Sequence, residues 1–192
     1  MRQYKPFGGI EVREKKLIVD DRGYFSEIAR ESDYPVKFVQ DNLSYSYEGV
    51  IRGLHYQVNK PQSKIVNVIS GYILDVVVDL RMDSKYFGDY FAVELDHTKT
   101  LFVPEGFAHG FQALTGQVSV LYKCSDYYSP EDERTLYYDD LELGIEWEDL
   151  SGHYIAPLWS LLDGVKYTPP KYGETVSEKD LKGEMFKDCE KF

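Results

Sequence analysis

Four histidines occur in the 192 residues: His55, His97, His109 and His153. His55 stands in Arg52-Gly53-Leu54-His55-Tyr56-Gln57, with Lys64 following after a loop that contains Pro61. An imidazole changes protonation near neutral pH, so it can take a proton from a substrate. Cations beside it favour the neutral form that acts as a base. Arg52 and Lys64 could supply them if the fold brings them close, which spacing alone does not decide. A second dense patch is Leu121-Tyr122-Lys123-Cys124-Ser125-Asp126-Tyr127-Tyr128. It reads either as an aromatic strand end that packs, or as a proton-donating phenol beside a ring that stacks on a nucleobase. His97 and His153 lie in polar, turn-like contexts and receive no role.

His109 ends the run Pro104-Glu105-Gly106-Phe107-Ala108-His109. This is similar to the Pro-x-Gly-x-x-His motif of cupin jelly rolls, in which Pro and Gly make a tight turn and the His points into the barrel. Metal-binding cupins add an earlier His-x-His and a Glu, because an ion needs several ligands. Here the earlier position reads His55-Tyr56-Gln57, and no Glu occurs from Val58 to Phe87. No metal and no cofactor are therefore expected.

The elements that must position these residues are short strands. Candidate runs are Gly9 to Val19, Tyr24 to Ala29, Val36 to Leu43, Val50 to Tyr56, Lys64 to Ile69 and Tyr72 to Leu80. Further runs are Tyr90 to Leu95, Thr100 to Val103, Phe107 to Leu114 and Val118 to Cys124. Gly-containing turn signals separate many of them, which predicts an all-β sandwich or barrel. In Tyr72 to Leu80 one face carries Tyr72, Leu74, Val76, Val78 and Leu80, and the other Ile73, Asp75, Val77 and Asp79. Strand side chains alternate, so the two carboxylates share a face. That face is either a solvated exterior or the polar interior of a small barrel. Residues 151–176 read as an irregular insertion with one helical turn near Pro157 to Leu162. A short C-terminal helix is expected near 177–183, with Ser177 as cap and Gly183 as stop.

Composition bounds the function. The net charge is −11, from 22 Lys+Arg against 33 Asp+Glu. This disfavours nucleic acid and polybasic membrane binding, both of which need clustered cations. The 17 Tyr, 10 Phe and 2 Trp favour half-buried pleated surfaces, hence β structure. Two cysteines, Cys124 and Cys189, are too few for a secreted disulfide scaffold. No apolar run approaches the ~20 residues of a membrane span, and no signal segment is seen, so a cytoplasmic location is expected. A single cupin-type domain spanning 1–192 is the expected organisation.

Taken together, these motifs resemble the dTDP-4-dehydrorhamnose 3,5-epimerase family. The likeness runs from about Gly9 to Trp147 and begins with Asp21-Arg22-Gly23-Tyr24-Phe25-Ser26-Glu27 and Phe38-Val39-Gln40-Asp41-Asn42. It continues through the His55, Asp75–Arg81, His109 and Tyr122 segments to Leu143-Gly144-Ile145-Glu146-Trp147, all in the family's order. The resemblance implies a jelly-roll barrel, no metal, and a homodimer with contacts that cross between subunits. The implied reaction is 3,5-epimerisation of a nucleotide-linked 4-keto-6-deoxyhexose. A proton beside a ketone is removed, and the carbon is reprotonated from the opposite face.

The resemblance implies His55 as base, Lys64 at the enolate oxygen, Tyr122 as acid and Asp180 as partner of His55. It further implies substrate contacts from Arg22 and Glu27 of the neighbouring subunit, and from Gln40, Asn42, Arg52 and His109, with Tyr128 stacking on the base. Two departures stand out: the long stretch before Ser177, and Thr and Tyr residues in Glu133-Arg134-Thr135-Leu136-Tyr137-Tyr138 where the family has Gly and Trp. The rival readings are a single-centre epimerase or keto-sugar isomerase on another nucleotide sugar, and a non-catalytic sugar-binding cupin.

Overall fold

The structure, a computed structural model, describes residues 7–150 and 175–192. Thirteen strands occur among them. They are β1 (Glu11–Glu14), β2 (Ile18–Asp20), β3 (Gly23–Phe25), β4 (Gln40–Tyr47), β5 (Val50–Gln57), β6 (Lys64–Ser70) and β7 (Ile73–Asp79). Then come β8 (Tyr90–Leu95), β9 (Lys99–Val103), β10 (Phe107–Ala113), β11 (Gln117–Cys124), β12 (Glu133–Thr135) and β13 (Thr175–Val176). One sheet runs β1-β9-β6-β11-β4; the other runs β12-β5-β10-β7-β8, with β13 added parallel to β5. The fold is thus the expected all-β, cupin-type barrel. Among the described residues no helix is long and apolar enough to cross a membrane.

The core explains why the strands read as they did. Val66, Val68, Val118 and Val120 from the first sheet meet Ile73, Val77, Val93 and Phe111 from the second. A second cluster lies on the outer face of the second sheet, where Leu74, Val76 and Val78 pack with Leu136, Leu143, Phe186 and Cys189. Fully burying an aliphatic side chain stabilises by roughly 1.5–3 kcal/mol, so covering both faces makes β7 a rigid centre. The face bearing its carboxylates is the interior, not a solvated exterior, with Asp75 and Asp79 at 1% and 0% exposure. Asp79 is held by Arg81 and Ser84, each at 2.6 Å.

The C-terminal residues strap this outer face. Tyr137 N–H donates to Glu184 O and Glu184 N–H to Thr135 O, each at 2.8 Å. Phe192 closes the strap through backbone bonds with Leu80 and Met82. In place of the expected short helix there is a single 3-10 turn, Asp180–Lys182. Ser177 Oγ does accept the Asp180 N–H at 3.1 Å. Gly183 follows the turn in extended conformation and packs so closely on the strap's partner that a Cβ there would lie 2.8 Å from Tyr137 N. The expected insertion at 151–176 lies outside the described residues except for β13, and so does the turn near Pro157 to Leu162. Sequence reading also missed β12, whose three residues are too few for alternation to show.

Candidate active site

Two facing sheets divide the chemistry between them. His55 on β5 and His109 on β10 are direct cross-strand neighbours in the second sheet. Lys64, Tyr122, Asn42 and Ser44 come from β6, β11 and β4 of the first. A cavity of about 500 Å³ between them is lined by Arg52, His55, Lys64, His109, Tyr122 and Asp180, among others. An adjoining cavity of about 270 Å³ is lined by Gln40, Asn42, Tyr128 and Glu133 and shares His55, Lys64 and Tyr122. Two glycines let β5 and β10 come close enough to form this wall. A Cβ on Gly53, whose φ is +125°, would lie 2.6 Å from Gly110 Cα, and one on Gly110 would lie 2.6 Å from Arg52 O.

The group bonded to the His55 ring is a carboxylate rather than a cation. His55 Nε2 lies 2.6 Å from Asp180 Oδ1. Burial works to raise the Asp180 carboxyl, but hydrogen bonds from His55 and the Gly53 N–H outweigh it and hold the carboxyl below its usual range. An ionised carboxylate only accepts, so Nε2 carries the proton and Nδ1 is left as the basic nitrogen. Lys64 is buried, and burial pushes its ammonium down. Among the described residues its one hydrogen bond is a long one, 3.4 Å to His55 O. Its remaining donors are available to an anionic oxygen in the cavity.

Burial likewise raises the Tyr122 phenol, keeping it a proton carrier at neutral pH, while nearby Arg52 pulls the other way. His109 Nε2 bonds both oxygens of Asp75, at 3.0 and 2.9 Å. Arg52 donates to Ser46 Oγ at 2.9 Å and to Tyr45 O at 3.0 Å, which fixes its guanidinium at the rim. In the smaller cavity Gln40 donates to Asn42 and accepts the Tyr128 N–H, each at 2.9 Å. Tyr128 is exposed, leaving an aromatic face at the opening.

The structure therefore brings together nine of the expected site residues: His55, Lys64, Tyr122, Asp180, His109, Arg52, Gln40, Asn42 and Tyr128. It does not bring Arg22 or Glu27 to either cavity within this chain. Arg22 pairs with Asp20 on the exposed β2–β3 hairpin, and Glu27 pairs with Arg30. Sequence reading missed Lys179 and Glu133, whose 2.5 Å ion pair links the two cavities. Glu133 also accepts from the Tyr128 hydroxyl at 2.7 Å. The acidic stretch around Glu133 looks like a solvated loop, so no local signal marks it. The unusual Tyr138 packs against Trp147 and accepts its indole N–H through the backbone, so it serves packing rather than the cavity. Among the described residues, no group of three or more His, Cys, Asp or Glu is gathered where a metal ion could sit.

Comparison with known proteins agrees with this architecture. The family model described as dTDP-4-dehydrorhamnose 3,5-epimerase matches residues 5–188. A dTDP-4-dehydrorhamnose 3,5-epimerase of Methanothermobacter thermautotrophicus is 46% identical over 146 residues, covering 72% of this chain and 79% of the relative. One from Pseudomonas aeruginosa is 36% identical over 187 residues, covering 93% and 92%. The crystal structure of dTDP-6-deoxy-D-glucose-3,5-epimerase from Legionella pneumophila, in complex with dTDP-4-keto-L-rhamnose, superposes with a TM-score of 0.79. It is 33% identical and covers 94% of this chain and 89% of that one.

Proposed function

The chain belongs to the dTDP-4-dehydrorhamnose 3,5-epimerase family, and from that premise we infer that it is an isomerase acting on a nucleotide-linked 4-keto-6-deoxyhexose. The reaction inverts C3 and C5, turning dTDP-4-dehydro-6-deoxyglucose into dTDP-4-dehydrorhamnose. Both carbons flank the C4 ketone, so their protons are acidic enough for an imidazole to remove. His55 Nδ1 takes the proton, and the C–H electrons move onto the ketone oxygen as an enolate. Lys64 donates to that oxyanion, whose charge a buried ammonium stabilises well. Tyr122 returns a proton to the carbon from the opposite face, and solvent exchange resets the pair. Asp180 fixes the His55 tautomer and supports the imidazolium once it forms.

The observation that carries this reading is that His55 and Tyr122 enter one cavity from opposite sheets. Inversion needs a base and an acid on opposite sides of one carbon, and a sugar between the sheets meets both. A sugar-binding cupin with no catalytic role has no use for that opposition. Arg52 suits the diphosphate because its fork donates two bonds at once. Gln40 and Asn42 suit a base edge, and Tyr128 stacks on the base. His109 contacts the sugar or diphosphate.

The active unit is a homodimer in the cytoplasm. Edge strand β4 turns its apolar side outward, with Leu43 at 70% and Tyr45 at 47% exposure. Ile18, Val19 and Phe25 on the β2–β3 hairpin are also exposed. A second copy covering these surfaces would let Arg22 and Glu27 reach the neighbour's nucleotide cavity.

The test is incubation with dTDP-4-keto-6-deoxyglucose in deuterated water. The expected result is deuterium at both C3 and C5, with exchange abolished in His55→Ala. Exchange at one carbon only would show a single-centre epimerase. Exchange at the parent rate in His55→Ala would remove His55 as the base.

A further inference from the structure

Asp180 reaches His55 along the edge of β5 that β10 leaves free. Strand β13 brings the chain to that edge: Thr175 N–H donates to Gly49 O at 2.8 Å, and Val176 lies opposite Ile51. Four residues beyond Val176, the Asp180 carboxylate points back into the same edge at Gly53 and His55. The chain turns between them at Ser177-Glu178-Lys179-Asp180.

A Ser-x-x-Asp spacing starts a turn through two reciprocal bonds. The Ser hydroxyl accepts the N–H of the third residue on, and that residue's carboxylate accepts the N–H of the Ser. The first half is made here: Ser177 Oγ accepts the Asp180 N–H at 3.1 Å, and Leu181 N–H donates to Ser177 O at 3.0 Å. The carboxylate is turned away from the second half. Its Oδ1 lies 2.6 Å from His55 Nε2, and its Oδ2 accepts the Gly53 N–H at 3.3 Å. The start of the turn is thus held by the Ser177 hydroxyl from one side. Burial works to raise the carboxyl, and His55, the Gly53 N–H and the same Ser177 hydroxyl hold it low. Ser177 is itself exposed at the wall of the larger cavity, so it adds little buried packing and its contribution is this bonding.

We propose that Ser177 is a positioning residue for the epimerisation: by capping the turn that carries Asp180, it aims the carboxylate at the His55 ring. The inference deepens the epimerase reading and rests on it. A carboxylate held in place keeps the proton on Nε2 and leaves Nδ1 basic. When the cap is lost, the turn loosens and the imidazole spends part of its time as the other tautomer. In that form Nδ1 carries a proton and cannot take one from the substrate.

The experiment compares parent, Ser177→Ala and Ser177→Thr with two readouts. Nitrogen NMR of the His55 ring needs no substrate. The parent shows a protonated Nε2, and in Ser177→Ala the two ring shifts converge toward a mixture of tautomers. In turnover, loss of the cap predicts a kcat about 5- to 30-fold lower. KM for the 4-keto sugar and calorimetric affinity for dTDP stay at the parent values. Ser177→Thr keeps the hydroxyl and restores most of both losses. In an Asp180→Asn background Ser177→Ala adds little, because a residue that acts through another has no separate effect once that one is gone. Unchanged ring shifts in Ser177→Ala overturn the proposal, whatever happens to turnover. Full additivity with Asp180→Asn overturns it, as does a loss of dTDP affinity that matches the loss in kcat, because Ser177 would then act on the substrate or the fold. Should Ser177→Ala not fold, Ser177→Gly removes the hydroxyl at a position where Gly is tolerated, and is read the same way. A parent that exchanges neither C3 nor C5 refutes the epimerase reading itself, while the ring shifts still report whether Ser177 holds the pair.

Discussion

Two His–Asp pairs face the same cavity, and they are built differently. In His55–Asp180 the carboxylate comes from the C-terminal strap, 125 residues away in sequence. In His109–Asp75 both partners sit on adjacent strands of one sheet. Each Asp side chain is nearly or fully buried, at 4% and 0% exposure. Burial pushes both carboxyls up, yet the net shifts are opposite. Asp75 is raised, because burial outweighs the bonds and charge of His109 and the charge of Lys64. Asp180 is lowered, because the bond and charge of His55, joined by the Gly53 N–H and Ser177, outweigh burial. The same two side chains thus make a charged orienting pair in one place and a reluctant carboxylate in the other. Deeper burial at Asp75 and the additional donors at Asp180 together decide which.

The largest way to break this comparison is at the imidazoles. His55→Ala is expected to lower kcat by about 1000-fold or more, as loss of a general base does. His109→Ala should cost about 10-fold, on the scale of a lost charge-assisted bond. Steady-state turnover of the 4-keto sugar measures both. Equal losses would show that the pairs share the base role.

The carboxylates come next. Asp180→Asn is expected to reduce kcat about 100-fold, because an amide neither holds the tautomer nor supports the imidazolium. Asp75→Asn should cost about 5-fold, since an amide oxygen still accepts the His109 N–H. Their pH signatures differ in sign. Asp180 titrates below the ordinary carboxylate range, so its stabilisation is present above that range and is lost as pH falls through the depressed value. Asp75 titrates above it, so its contribution is present in acid and is lost as pH rises through the raised value. In thermal melts from acid to neutral pH, Asp180→Asn should fall progressively behind the parent. Asp75→Asn should gain on the parent over the same range. Parallel trends would contradict the assignment.

A smaller effect tests the strap. Asp140 is buried and accepts the Phe186 N–H at 2.6 Å and the Glu142 N–H at 2.9 Å. Asp140→Ala leaves a buried donor unpaired, which costs about 1–3 kcal/mol. It should loosen residues 184–192 and weaken the His55–Asp180 pair, while the His109–Asp75 pair stays intact. Hydrogen exchange reads the loosening, and turnover reads its effect on the dyad.

Much of the barrel could be read locally. Alternation in Ile73–Asp79 and Gly71 before it mark β7 because period-two patterning and turn chemistry need no distant partner. His55, Lys64, Tyr122 and His109 stand out for the same reason, each in a compact motif. Strand β4 misleads by the ordinary rule. Its polar residues face inward and Leu43 and Tyr45 face out, the reverse of a simple core-facing strand. Nothing local reveals that inversion, because it depends on what lies on each side of the sheet. Lys179 and Glu133 were invisible likewise: a Lys in a polar tail and a Glu in an acidic loop gain meaning only when folded together.

The sequence by itself determined a β-rich chain, a set of catalytic residue types and, through a resemblance spread along its length, the family chemistry. Those properties live in short stretches of chain, where spacing and residue type carry the information. Only the tertiary structure decided that His55 and Tyr122 line one cavity from different sheets and that Asp180 reaches the His55 ring. It also decided that Arg22 stands away from its own chain's cavity. Those facts depend on how two sheets meet and where the C-terminal strap docks. Both are set by packing between residues far apart in the chain, and a single strand's pattern cannot encode them.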